Sequence, residues 1–208
     1  MKFSLTLTRA LAPVALVAAL GGVALAAPSN PLAQVENHLA SAQSMTADFV
    51  QTDSKNRSLT GTFALKRPGR IRFDYGNGAN MLLVGNGKLL TFVDYEVGQK
   101  NAWPIAKSPL AVLLSDKPDL QRIARVVGSK DARILLVRAR DARRPEFGTL
   151  ILAFVRNDSA PGGLVLEGWT AIDAQNKRTT IKLSGQRYNV AVPESAFTFA
   201  EPKPRKKA

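Results

Sequence analysis

Arg67 is the residue whose neighbours in the sequence point most directly to a chemical role. It lies in the stretch Phe63–Tyr75, FALKRPGRIRFDY, where four Lys or Arg residues surround a Pro-Gly turn. Within Ser58–Lys66 every odd-numbered residue is apolar or glycine, and Arg67 has the same parity. Because a residue before proline is held in extended backbone, Arg67 continues the alternation. We therefore expect its guanidinium at the rim of an apolar face, and Arg70 and Arg72, on the other face, in solvent.

A guanidinium beside apolar surface is unfavourable unless its N–H donors are satisfied, and arginine does not lose its charge. The sequence leaves three arrangements open for Arg67. It could donate to the carbonyl-rich end of a short helix, bind a polar group of a ligand, or extend along the apolar surface into water. If helix and ligand compete for the same donors, ligand entry and helix release are coupled.

Residues for catalysis or metal binding are few. The single histidine, His38, falls on the polar side of a predicted helix and is expected on the surface. Asp74, Asp94 and Glu96 lie at predicted strand ends, where turn carboxylates are common. The chain has no cysteine and no hydrolase, zinc-protease or phosphate-loop motif. We predict a protein without enzymatic activity, metal or cofactor; a hydrolase with scattered catalytic residues is the alternative.

The N-terminus is typical of a secretory signal peptide. Lys2 and Arg9 precede the apolar run Ala10–Leu20, which two glycines and the sequence Ala24-Leu25-Ala26 follow. The run is shorter than the roughly 20 residues of a membrane-spanning helix. We predict a signal peptide over residues 1–26 and release into the periplasm, with a membrane anchor as the alternative.

The chain is strongly basic, with a formal charge of +13 over 208 residues. Outside the cytoplasm, this charge favours attraction to anionic lipid headgroups, with nucleic acid a distant second and no nucleic-acid partner predicted. A solvated surface explains most of the individual charges equally well. The length predicts one domain, over residues 27–202, followed by a basic tail over residues 203–208.

Hydrophobic periodicity predicts one helix followed by many short strands. Asn30 followed by Pro31 is a helix start, and apolar residues at helical spacing predict a helix over Pro31–Ser41. Segments in which apolar and polar residues alternate then recur between turn signals such as Asn86-Gly87, and each is predicted to be a strand. About eleven strands joined by short connections predict a mainly β antiparallel sandwich or barrel. The predicted strands are Met45–Gln51, Ser58–Lys66, Arg70–Tyr75, Asn80–Val84, Lys88–Tyr95, Lys100–Trp103, Leu120–Val127, Arg133–Arg140, Phe147–Val155, Leu164–Ala171 and Arg178–Tyr188.

A second, shorter helix is predicted over Ser108–Ser115, SPLAVLLS. Ser108 is the expected cap, a proline takes the first helical position, and Leu110, Leu113 and Leu114 share one side. Two turns are too few to be stable alone, so the leucines must pack on apolar surface. The segment either plugs one end of a barrel or acts as a lid over an apolar cavity.

In order and spacing, several motifs together resemble the LolA family of periplasmic outer-membrane lipoprotein carriers, over about Leu32–Pro202. They are Phe49-x-Gln51, Gly61–Pro68, Ile71–Tyr75, Gly85–Lys88 with Asp94, Gln99, the helix at Ser108–Leu114, and Phe197–Phe199 in place of the family's terminal strand. Two features differ from the family pattern. Thr91 and Val93 stand where many members have Trp and Tyr, and the C-terminal tail is unusually basic.

The resemblance implies an unclosed antiparallel β-barrel of about eleven strands, with short lid helices around an apolar cavity. It implies a monomeric carrier that binds the acyl chains of lipoproteins. The carrier would receive them from an ABC-type release complex of the inner membrane and deliver them to an outer-membrane lipoprotein acceptor. A lipid- or lipoprotein-sensing regulatory protein of the same fold is the alternative.

The same resemblance assigns roles to particular residues. Arg67 matches the arginine that keeps the lid closed over the empty cavity, and its expected lid partners are Ser108, Leu110, Leu113 and Leu114. The expected acyl-chain contacts are apolar residues of inward parity, for each of which ordinary core packing is the alternative: Phe49, Leu59, Phe63, Leu65, Phe73, Leu90 and Phe92.

Overall fold

The computed structural model describes residues 30–115 and 119–203, which contain one continuous antiparallel sheet of eleven strands. The predicted signal peptide and all but the first residue of the basic tail lie outside the described residues. The strands are β1 Ser44–Thr52, β2 Ser58–Lys66, β3 Arg70–Asp74, β4 Met81–Asn86, β5 Leu89–Asp94, β6 Gln99–Pro104, β7 Ala124–Val127, β8 Ile134–Ala139, β9 Thr149–Arg156, β10 Leu164–Ile172 and β11 Arg178–Tyr188.

The order across the sheet is β6-β5-β4-β3-β2-β1-β11-β10-β9-β8-β7. The chain therefore builds one half of the sheet outward from β1, and the second half runs back inward from the other edge. In the described part of the chain, β6 and β7 each have a strand on one side only, so the sheet does not close on itself. The predicted mainly β, unclosed antiparallel architecture is confirmed.

In the described ranges, three short α-helices accompany the sheet: α1 Pro31–Ser41, α2 Ala111–Leu114 and α3 Leu120–Ile123. The start of α1 is set locally, because Asn30 Oδ1 accepts hydrogen bonds from the backbone N–H groups of Leu32 at 3.0 Å and Ala33 at 3.5 Å. Among the described residues, no helix is long and apolar enough to cross a bilayer.

One predicted strand was partly wrong. The segment Leu120–Val127 begins with the helical turn α3, and strand β7 starts only at Ala124. The reason is a cap: the side chain of Asp119 accepts a hydrogen bond from the backbone N–H of Arg122. The other ten predicted strands end within two residues of the observed bounds.

The C-terminal segment, residues 189–201, lies across the outer face of the first half of the sheet. Val192 and Phe197 are buried there against Leu82, Val84 and Val93. The stretch predicted to resemble a terminal strand is instead a 3₁₀ turn, Glu194–Phe197, followed by extended chain outside the sheet.

This segment also corrects the prediction that Arg70 and Arg72 face solvent. Glu194 forms ion pairs of 2.6 Å with Arg70 and with Lys66. Arg72 Nη1 donates to the carbonyl oxygens of Ala196 at 3.2 Å and Thr198 at 3.0 Å. The outward-facing cations of β2 and β3 therefore hold the C-terminal segment on the sheet.

We expect Phe197→Ala to lower the free energy of unfolding by about 2–3 kcal/mol, because a buried ring is lost from a small cluster. Urea unfolding followed by fluorescence measures the effect. Phe199, which is only half-buried on the same surface, is the matched control, and its replacement by alanine should cost about 1 kcal/mol. Equal costs at the two positions would contradict the buried anchor at Phe197.

Candidate functional site

Arg67 directly follows β2, and its side chain is 7% exposed. Its Nη1 donates to the carbonyl oxygen of Ala42, the residue that caps the C-terminus of α1. The backbone N–H of Arg67 donates to Gln43 O at 2.8 Å, which continues the β1–β2 pairing register by one residue. Of the three arrangements the sequence leaves open, the structure shows the first: the guanidinium meets the carbonyl end of a helix.

The Arg67 guanidinium is incompletely satisfied. Its Nε is buried and has no hydrogen-bond acceptor among the described residues. Burial lowers the pKa of Arg67 to about 10, with the nearby Tyr188 acting in the opposite direction. The group is still charged at neutral pH, so a buried cation is held by the end of one helix and keeps a free donor.

The same turn also holds α2. The backbone N–H of Gly69 donates to Leu114 O, the last carbonyl of α2, at 2.9 Å. Gly69 has φ +72°, and a Cβ at this position would lie 2.6 Å from the Cα of Gly87. Only glycine fits here, so the β2–β3 turn is shaped to contact the ends of both α1 and α2. We call these two contacts the turn–helix ties.

Comparisons with known proteins identify the family of this chain. The family profile described as "Outer membrane lipoprotein carrier protein LolA" matches residues 40–200. The chain belongs to this family. Its relatives include the outer-membrane lipoprotein carrier protein of Chromobacterium violaceum, 27% identical over 191 residues that cover 88% of this chain and 89% of the relative. That of Bordetella avium is 26% identical over 201 residues, covering 92% of each chain.

A crystal structure of a LolA superfamily protein from Nitrosomonas europaea is also similar, with a TM-score of 0.45 and 10% identity over 81% of this chain and 97% of that one. LolA family members are carriers without enzymatic activity, and the sequence-based expectation that this protein is not an enzyme agrees with that membership. Within residues 30–115 and 119–203, no group of His, Asp and Glu side chains is placed to hold a metal ion.

The sequence predicts that Ser108 caps α2, but in this LolA family member Ser108 does not do so. The first helical residue of α2 follows Leu110, and no side chain caps the helix. The hydroxyl of Ser108 is buried without a partner among the described residues, and only its carbonyl oxygen accepts from the N–H of Ala111, at 3.1 Å. Leu113 and Leu114 are fully buried and Leu110 is half-buried, so packing, together with the tie to Gly69, holds this four-residue helix.

The predicted acyl-chain residues lie on the concave face of the sheet, but not all to the same depth. Five are buried and form part of the main core: Phe49, Phe63, Leu65, Phe73 and Leu90. Leu59 and Phe92 are half-buried. Phe92 pairs with Leu83, and Leu83 with Phe73, which places Phe92 on the same face nearer the β6 edge.

The concave face is filled by its own aromatic side chains, where the sequence predicts a cavity. The Phe63 and Phe73 rings lie with centroids 4.9 Å apart, and each is 5.9 Å from the ring of Trp169 on the other half of the sheet. Phe49 contacts Phe73 at 5.1 Å. These edge-to-face contacts join the two halves into one core, so the described conformation is closed.

Sequence reasoning placed His38 on the surface, and this was wrong. The side chain is 1% exposed, and its Nδ1 lies 2.7 Å from Pro161 O, between the rings of Phe154 and Tyr188. The helical spacing in the sequence does indicate this burial, because His38 follows Val35 by three residues and so lies on the buried face of α1. The loop that covers it is 123 residues away in the chain, and this separation hid the contact.

The burial of His38 makes stability depend on pH. Burial is the main cause that lowers its pKa below the ordinary value of 6.5, and the charge of Arg67 adds to this. The unfolded chain therefore takes up a proton before the folded one does, so the free energy of unfolding falls as pH drops from about 6.5 towards 5.

We expect His38→Gln to remove this pH dependence. Glutamine does not titrate but can still donate to Pro161 O, so any remaining slope must come from other groups. Urea unfolding midpoints of both proteins, measured from pH 7.5 to 5, test this, because the carboxylates with lowered pKa lose their effect mainly at lower pH. Parallel pH profiles would contradict a buried neutral His38.

Proposed function

We propose that this protein binds the acyl chains of lipoproteins between the concave face of the sheet and the helices α1 and α2, and carries them from the inner to the outer membrane. The observation that carries the proposal is the pair of turn–helix ties, from Arg67 to Ala42 and from Gly69 to Leu114. Both covering helices contact this one turn, so displacement of the turn removes a hydrogen bond from each of them.

A carrier is needed because exposed acyl chains are costly in water. Each buried methylene contributes about 0.8 kcal/mol, so some 40 chain carbons contribute on the order of 30 kcal/mol. Free diffusion of such a lipid is negligible. A protein that hides the chains must also release them, and an apolar face that can repack on itself lowers the net affinity.

The filled interior of the empty protein allows it both to bind acyl chains and to release them. Rings such as Phe63, Phe73 and Trp169 cover one another in the closed conformation, so an entering chain exchanges protein–protein contacts for protein–lipid contacts. On release, the rings repack and Arg67 regains the carbonyl of Ala42. The free energy gained when the empty protein closes therefore offsets part of its affinity for lipid, and release needs no nucleotide hydrolysis by the carrier.

The location and partners of the carrier follow from this role. We propose cleavage of residues 1–26, a periplasmic protein consisting of one domain over residues 27–202 with a basic tail over residues 203–208, and action as a monomer. The donor would be an ABC-type lipoprotein release complex of the inner membrane, and the receiver an outer-membrane lipoprotein acceptor. The carrier names of the relatives from Chromobacterium violaceum and Bordetella avium support this role.

The test uses inner-membrane vesicles that contain a radiolabelled lipoprotein. Added protein should move the label into a soluble complex of one carrier and one lipoprotein in the presence of ATP. A label that stays in the vesicles at every protein concentration would contradict the carrier function. Depletion in cells separates transport from sensing, because only loss of a carrier leaves lipoproteins at the inner membrane.

A further inference from the structure

One end of the second half of the sheet carries six exposed arginines on β7, β8 and their neighbouring segments. We call this the arginine surface: Arg122, Arg125, Arg138, Arg140, Arg143 and Arg144. Two of the six share one carboxylate, since Asp141 lies 3.4 Å from Arg122 Nη1 and 3.2 Å from Arg144 Nε. Asp119 also lies 3.2 Å from Arg122 Nε, so two acidic groups neutralise part of the charge of this surface.

The other four arginines form no ion pair with a carboxylate of residues 30–115 and 119–203. Arg125 and Arg138 lie directly opposite each other in the β7–β8 pairing, so their side chains project from the same face. Like charges in directly opposite positions destabilise a sheet. Arg138, Arg140 and Arg143 form no ion pair with any carboxylate of the described residues. The fold tolerates an unfavourable cluster of charge that an anionic partner would neutralise.

Apolar groups lie beside these charges. A groove of about 90 Å³ runs between the α2 segment and the 140–148 loop, lined by Val112, Phe147, Arg122, Arg140 and Arg144. The Arg144 guanidinium lies 4.8 Å from the Phe147 ring centre, and Val127 of the edge strand β7, on the same face as Arg125, is 37% exposed. The groove is far smaller than the 300 Å³ or more of typical ligand pockets, so it is a surface feature rather than an acyl-chain site.

We propose that the arginine surface docks the protein on the anionic phospholipid headgroups of a membrane. Guanidinium groups bind phosphate oxygens with two donors at once, and valine and phenylalanine side chains are suited to the boundary between headgroups and acyl chains. The arginines are spread over a helix, two strands and a loop at irregular spacing. Laterally mobile headgroups match such spacing more readily than the fixed carboxylates of an acidic protein.

The proposal goes beyond the carrier function and does not depend on it. Val112 of α2 lines the groove, so docking brings one of the two covering helices next to the membrane. A carrier docked in this way would exchange lipid at the membrane surface instead of in bulk water.

The experiment measures co-sedimentation of the purified protein with two kinds of vesicle, one of phosphatidylcholine and one of equal parts phosphatidylcholine and phosphatidylglycerol. The test variant combines Arg138→Ser, Arg140→Ser and Arg143→Ser. The control combines Lys55→Ser, Lys182→Ser and Arg187→Ser, which removes the same charge from exposed positions elsewhere. Each basic residue near an anionic surface contributes about fivefold to binding, so the test variant should bind about 100-fold more weakly than the parent protein. For the control, the loss of binding relative to the parent protein should be smaller than about tenfold.

Binding should be confined to the anionic vesicles and should fall steeply between about 50 and 500 mM salt. The test variant should unfold at no lower urea concentration than the parent protein, because removal of Arg138 relieves its repulsion with Arg125. Equal losses in both triple variants would show a non-specific charge effect and overturn the proposal. Equal binding to neutral vesicles would do so too, as would binding to polyglutamate but not to anionic vesicles, which would indicate an acidic protein partner.

Discussion

Replacing Arg67 with leucine is expected to leave lipoprotein uptake intact and to slow its release by about 10- to 100-fold. The buried guanidinium stabilises the closed, empty conformation through its bond to Ala42 O, and a hydrogen bond of a charged group contributes about 1.5–3 kcal/mol. Leucine removes this contribution only from the closed state, while the lipid-bound state loses nothing. The equilibrium therefore shifts towards the loaded protein by the corresponding factor.

The measurement is transfer of radiolabelled lipoprotein from the loaded carrier to outer-membrane vesicles. Arg70→Leu is the matched control, because Arg70 lies on the same turn but faces outward and pairs with Glu194. The free energy of unfolding of empty Arg67→Leu should fall by about 1.5–3 kcal/mol, because the closed protein loses the same hydrogen bond. If Arg67→Leu releases lipoprotein as fast as the parent protein does, the proposed role of the turn–helix ties is contradicted.

Phe63→Ala is expected to lower the free energy of unfolding by about 3–5 kcal/mol. The side chain is 2% exposed, and its ring contacts Phe73 and Trp169 across the two halves of the sheet. Loss of a fully buried ring leaves a void in addition to the lost burial of apolar area. The cost is this large only if the concave face is filled in the empty protein.

Urea unfolding measures this cost, and Phe92→Ala is the control. Phe92 lies on the same face but is half-buried, so its replacement should cost about 1–2 kcal/mol. If Phe63→Ala costs no more than Phe92→Ala, the interior of the empty protein is an open cavity and the repacking that supports release does not occur. The two positions thus distinguish a packed interior from a preformed pocket.

The elements set by local chemistry could be predicted from the sequence. The bounds of α1 follow from Asn30 and Pro31, and most strands follow from period-two alternation between turn residues. The placement of Arg67 also follows from its parity, and the β1–β2 pairing that joins Ser44 to Lys66 brings it beside Ala42. What the sequence alone could not show was that the helix end at Arg67 belongs to α1.

The errors concern contacts between residues distant in the chain. His38 is buried by a loop at Pro161, and Arg72 is covered by Ala196 and Thr198, more than 120 residues away in each case. No local pattern encodes these contacts, because they depend on how the two halves of the sheet and the C-terminal segment come together. The like-charge pair of Arg125 and Arg138 appears only when the strand register is known.

Amide hydrogen exchange at Gly69 is the most direct test of the central claim that the β2–β3 turn holds the covering helices closed. This N–H donates to Leu114 O, so its protection reports whether α2 is tied to the turn. We predict slow exchange in the empty protein and exchange at least about tenfold faster when a diacylated lipopeptide is bound, while Phe49 and Val50 in the centre of the sheet stay protected. Equally slow exchange at Gly69 in the empty and loaded proteins would show that lipid binds without releasing this tie, and would contradict the account.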